Sequence, residues 1–195
     1  MGLGQDIAGI VFSVGTVLAI ALPMNLGVYA AAAFGVNWLS ALLYAIPRQS
    51  EKFYDLTGSI TFIVLAILGV MLHFDTLNWR SLNASVLVLV WACRLGGFLF
   101  ARIHASGVDR RFKFIRSAPV TFFMAWTMQG LWNFATILPV LLIHASSPSA
   151  SPSIVYSDIL GLGLWILGFS VEVIADSQKW AFRKTNPDRF ITSGL

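Results

Sequence analysis

Long apolar runs separated by short polar breaks set the pattern of this chain. A helix that crosses a bilayer needs about 20 predominantly apolar residues, since its own backbone bonds must then satisfy every N–H and C=O in the hydrocarbon. Four runs read as spans: Thr57–His73, Leu82–Ile103, Pro119–His144 and Ile154–Ala175. The stretch Ile7–Ile46 is too long for one span and is interrupted by Pro23 and Asn25. It is either two spans or one span with a short interfacial helix, and two is the preferred reading. The breaks fall at Arg48–Asp55, Phe74–Ser81, His104–Ala118 and Ala145–Ser153, the last a Ser/Pro loop by composition. The pattern predicts an all-α, multi-pass transmembrane helical bundle of five or six spans, a single integral membrane domain over residues 1–195. The first run lacks a basic leader and exceeds signal length, so no removable signal peptide is expected.

Composition agrees and removes other classes. Of 195 residues 57% are hydrophobic and only 11% charged, with a mean hydropathy of +0.76, whereas a soluble domain needs roughly 25% charged residues to coat its surface. Disorder, a disulfide scaffold and a soluble nucleic-acid binder are excluded together. The single cysteine, Cys93, lies in an apolar run and is expected to pack as a small hydrophobe. His73, His104 and His144 sit at run ends without metal-ligand spacing, so no metal is expected.

Charge placement gives the array a direction. Eleven of the thirteen Lys and Arg residues fall in the Arg48–Lys52 loop, the Arg102–Arg116 segment and the Lys179–Arg189 tail. With six spans all three segments lie on one face, the cytosolic one by the positive-inside rule, and the Ser/Pro loop lies on the other. Trp38, Trp79 and Trp180 fall near span ends, where interfacial aromatics belong. Gln129, Trp132 and Asn133 form a polar and aromatic patch inside one span, which either packs or lines a pocket for a flat apolar ligand.

Ionisable residues inside spans are the candidates for function, because each costs roughly 3 kcal/mol to insert and needs a partner or a polar cavity. Arg94 sits near the middle of its run. Glu172 and Asp176 share a helical face, and Lys179 and Arg183 continue near it. One reading is an interhelical ion pair, Arg94 with Glu172; the other is a cavity that takes an anionic ligand from the cytosol.

Three segments carry a resemblance: Glu51–Ser59 with its Glu-Lys-Phe-Tyr-Asp start, Arg94–Ile103 with the following Gly-Val-Asp-Arg-Arg-Phe, and the tail Asp176–Leu195 with its Lys179-x-x-x-Arg183 pair and Asn186-Pro187 turn. Together they resemble the steroid 5-alpha-reductase and sterol reductase superfamily, in the branch whose members carry a steroid-reductase-like C-terminal domain. The resemblance implies a membrane enzyme, an oxidoreductase of lipid metabolism in the endoplasmic reticulum or a bacterial inner membrane. It would pass a hydride from NADPH to an activated carbon–carbon double bond of a lipophilic steroid-like, isoprenoid or enoyl substrate. Carried over, it places Arg94, Arg102, Arg111, Asp176, Lys179 and Arg183 in cofactor binding, and Glu172, on the polar face it shares with Asp176, is a candidate beside them.

In those reductases a Tyr precedes the middle-helix Arg by three residues, where this chain has Trp91, which is no equivalent acid. Enone reduction needs support for the developing enolate and a proton for the neighbouring carbon, so the candidates pass to Tyr54 and Asp55, then Glu51. Interfacial anchoring and helix capping are the alternative for Tyr54 and Asp55. The resemblance also implies an Arg-His-Pro-Asn-Tyr segment beyond Leu195, and hence a truncated chain lacking part of the cofactor region. Two rival readings stand beside the reductase: an isoprenylcysteine-type membrane methyltransferase using an adenosyl cofactor, and a non-catalytic scaffold or pseudoenzyme.

Overall fold

The computed structural model describes residues 2–106, 109–146, 154–186, 189, 191, 192, 194 and 195. Six helices are long and apolar enough to cross a membrane, and no strand occurs among the described residues. They are α1 (Leu3–Ala21), α2 (Gly27–Arg48), α3 (Tyr54–Leu72), α4 (Trp79–Ser106), α5 (Pro119–Ala145) and α6 (Tyr156–Thr185). The protein is an all-α, multi-pass integral membrane protein. It divides into two compact units, Met1–Ser151 with α1–α5 and Pro152–Leu195 with α6 and the tail.

The long first apolar stretch is two spans. Asn25 takes up the left-handed backbone (φ 56°) that the turn between them requires, a conformation that Asn tolerates better than most residues. Near the end of α2 the backbone widens into a π-helical turn, Ala41–Ala45, in which the Ile46 N–H donates to the Ala41 carbonyl. Pro47 follows directly, and its ring cannot sit against the carbonyl four residues back in a regular helix, so a wide turn at this place relieves that contact. Asn78 caps α4: its Oδ1 accepts the N–H groups of Arg80 and Ser81 while the Asn78 N–H donates to Ser81 Oγ.

In lipid, apolar surface gives helices little reason to associate, so close packing and interhelical hydrogen bonds hold the first unit together. Ala30, Ala33, Asn37, Ala41 and Ala45 form a buried stripe of mostly small residues on α2. Asn37 Nδ2 donates to Thr61 Oγ1 on α3 and Asn133 Oδ1 on α5, and Asn133 Nδ2 donates to the Gly58 carbonyl. Gln129 Nε2 donates to the Tyr54 carbonyl, and Thr121 Oγ1 donates to buried Asp6 of α1 at 2.6 Å. The polar patch expected on α5 is therefore split. Gln129 and Asn133 point inward as glue between helices, whereas Trp132 is 67% exposed on the outer surface. One turn of helix separates Gln129 from Asn133 on one face, and Trp132 falls on another. Cys93 likewise faces outward rather than into the core.

Candidate functional site

In the first unit, the start of α3, the end of α4 and the segment 109–116 meet in a network of three carboxylates and three guanidinium groups. Asp55, in the first turn of α3, accepts from Arg102 at 3.1 Å and from Arg111 at 3.0 Å. Asp109 Oδ2 accepts from Arg111 Nε at 2.8 Å, and its Oδ1 accepts the Arg111 backbone N–H at 2.9 Å. Buried Glu51 accepts the Asp109 backbone N–H at 2.9 Å and Arg116 at 3.3 Å. Local sequence explains the positions. The acid in the first turn of α3 complements the helix dipole, while α4, at 28 residues, is about 42 Å long and carries Arg102 past the hydrocarbon.

Burial pushes the Asp109 carboxyl up, but the hydrogen bonds and charge of Arg111, with the charge of Arg102, outweigh it and leave the group below its ordinary value. The hydrogen bond that Arg111 donates to Asp109 leads the effects that raise Arg111, followed by burial, which opposes it, and the charge of Asp55, which adds to it. A carboxyl depressed in the folded state contributes stability above its unfolded value, 3.8, and loses it as pH falls through the folded value. Asp109→Asn is therefore expected to flatten the acid limb of thermal unfolding below about pH 5. An unchanged limb in the variant would assign the acid loss to other groups. The effect is modest, because the Arg111 side chain is 58% exposed and solvent screens the pair.

Tyr54 lies beneath this network. Its hydroxyl donates to the Ala125 carbonyl at 3.0 Å, and its ring packs on Phe112 and edge-on to Trp126. The hydroxyl is thus turned toward α5 and held there. Arg94 lies about two turns before Arg102 on α4, its guanidinium 5.2 Å from the Phe98 ring centroid. Trp91 packs edge-on against Phe62 at 5.0 Å.

The second unit carries a separate pocket of about 430 Å3, lined by Asp176, Lys179, Phe182 and Arg183 of α6 and by Arg189, Ile191 and Leu195 of the tail. The tail returns to α6 through a hydrogen bond from the Leu195 N–H to Gln178 Oε1 at 2.9 Å. Gly194 makes that return possible: its φ is +99°, and a Cβ there would collide with the Gln178 amide. Three of the four α6 residues expected to bind a cofactor, Asp176, Lys179 and Arg183, come together; Glu172, one turn earlier, does not line the pocket. Arg189 was missing from the expected set, although its place in the basic tail was a signal for it. Among the described residues no group of three or more His, Cys, Asp or Glu is arranged to hold a metal ion.

Comparison with known proteins gives one family: the model described as protein of unknown function (DUF1295) matches residues 41–195, from the π turn of α2 onward. No curated protein and no solved structure matches the chain.

Proposed function

We propose that this chain, which belongs to the DUF1295 family, is a membrane-embedded NADPH-dependent reductase of an activated carbon–carbon double bond in a lipophilic substrate, similar to the steroid 5-alpha-reductases. One observation carries the reading: Lys179, Arg183 and Arg189 share one pocket with Asp176, the one acidic side chain among its described lining residues. Among the described side chains, three cations against one acid leave an excess of positive charge. That excess, in a pocket with the apolar walls of Phe182 and Ile191, suits the phosphate-bearing part of a dinucleotide. The donor set therefore fits the group. NADPH, when bound, supplies the hydride.

The residues of the chain supply the rest. Arg183 and Arg189 offer forked donors to phosphate oxygens, Lys179 a compact charge, and Asp176 an acceptor for a ribose hydroxyl. In the first unit Arg102 and Arg111 already hold carboxylates, so any phosphate taken there has to displace Asp55 or Asp109. Tyr54 polarises a substrate only by giving up its bond to Ala125. In this reading Asp55 acts mainly as the anchor that orients the two arginines, and Glu51 as the anchor of Arg116 and the Asp109 amide. The basic ends face the cytosol, where NADPH is found.

Arg183→Ala is the test. If the pocket holds the 2′-phosphate, the variant binds NADPH at least about tenfold more weakly while NADH binding changes little, because a charge-assisted phosphate contact contributes about 1.5–3 kcal/mol. Equal losses for both nucleotides, measured by titration in detergent, would reject the phosphate role. Binding of an adenosyl methyl donor in place of either would favour the methyltransferase reading.

A further inference from the structure

At the opposite end of the first unit, about 28 Å along α3 from Tyr54, four helices bring Tyr29, His73, Ser85 and His144 together. The two imidazoles come from positions far apart in sequence, yet their ring centroids lie 5.8 Å apart with planes inclined at 38°. Each ring is held through one nitrogen. His73 Nδ1 is 3.3 Å from the Gly69 carbonyl and 3.2 Å from the Tyr29 hydroxyl, and His144 Nε2 is 2.8 Å from Ser85 Oγ. A carbonyl only accepts, so a His73 that uses it carries its proton on Nδ1 and its lone pair on Nε2.

His144 is the anomaly. Only 4% of it is exposed, and its Nδ1 has no hydrogen-bond partner. Leaving such a nitrogen unmatched costs roughly 1–3 kcal/mol, more than a bundle held by polar contacts readily gives up. Its position is built for: Gly69 faces the ring so closely that a Cβ would lie 2.8 Å from His144 Cδ2. Any side chain at residue 69 would push the imidazole away.

We propose that His73 and His144 together hold a divalent transition cation of the Zn2+ class, through Nε2 of His73 and Nδ1 of His144. The arrangement has the form of such sites, where each ligating imidazole gives its other nitrogen to a carbonyl or another polar group that fixes the tautomer. With Zn–N bonds of about 2 Å, a shared ion sets two imidazole centroids roughly 5–6 Å apart, which the observed spacing meets. His73 is half-buried and His144 buried, so water on the His73 side completes the shell. With two protein ligands instead of the usual three or four, the ion is exchangeable. This inference is independent of the cofactor reading.

The test titrates the full chain, stripped by a chelator in detergent, with Zn2+ by calorimetry and with Co2+ by absorption. One Zn2+ per chain is expected, with affinity lower in acid because protons compete with the ion for the ligand nitrogens. His73→Gln, at the half-buried partner, is expected to weaken binding at least about tenfold, and Ser85→Ala roughly tenfold. His104→Gln and Cys93→Ser should bind like the unaltered chain. If His144→Gln fails to fold, His73→Gln decides alone. Absence of a saturable Zn2+ site, or equal affinity in His73→Gln, overturns the proposal.

Discussion

Trp126→Ala is expected to destabilise the bundle by about 3 kcal/mol, the lower end of the range for such truncations. The lower end applies because a chain unfolded within a bilayer is already among apolar groups, so lost packing and not transfer from water sets the cost. Trp126 is fully buried, and its ring meets Tyr54 at 5.1 Å and Phe122 at 6.3 Å between centroids. Phe112, beside the ion-pair network, packs on the same Tyr54 and Phe122. The void therefore opens under the segment that carries Arg111, and its hydrogen exchange should quicken with the loss of stability. Trp126→Phe separates packing from polarity. The indole N–H has no partner, so a ring without it should retain most of the stability, within about 1.5 kcal/mol. Reversible unfolding in mixed detergent measures both variants. A phenylalanine variant as unstable as the alanine one would mean that the N–H is satisfied by a group the contacts above do not include.

The second large effect is expected at Gly58. A Cβ there would collide with Gln129 Nε2 and lie 3.8 Å from Asn133 Nδ2. Gly58→Leu therefore forces Gln129 off the Tyr54 carbonyl and spreads α3 from α5, at a cost of about 3 kcal/mol from overpacking plus roughly 1 kcal/mol for the hydrogen bond. Because Gln129 fixes the backbone of Tyr54, next to Asp55, the same change should loosen the Asp55 ion pairs with Arg102 and Arg111. Gly35→Ala provides the contrast, since nothing lies within 4 Å of a Cβ on that residue. Alanine is the better helix former, so Gly35→Ala should be neutral or stabilising by up to about 1 kcal/mol. Equal unfolding midpoints for Gly58→Leu and the unaltered chain would show that α3 and α5 do not approach at Gly58.

The two variants mark what was legible in the sequence and what was not. Apolar run length alone carried the helices, because in a bilayer a span must satisfy its own backbone and every such run has one solution. The two-span reading of Ile7–Ile46 held because Pro23 and Asn25 are turn residues wherever they occur. The spacing of Asp176, Lys179 and Arg183 was readable for the same reason: residues three, four and seven apart on one helix share a face without help from any neighbour. Gln129, Trp132 and Asn133 were misgrouped because a helix has a periodicity but no label saying which face meets protein and which meets lipid. Both surroundings are apolar, so hydropathy does not distinguish them.

By itself, then, the sequence determined an integral membrane protein of five or six helices, the concentration of basic residues in three segments, and the cationic face of α6, all of which follow from local composition and helical period. Only the tertiary structure decided the partners. It joined Asp55 to Arg102 and Arg111 across three segments, turned the Tyr54 hydroxyl to Ala125, folded Arg189 back beside Arg183 and set His73 against His144. Such pairings depend on which helices are neighbours, and that is fixed by close contacts of small residues and a few buried hydrogen bonds, information spread over the whole chain and written in no single stretch of it.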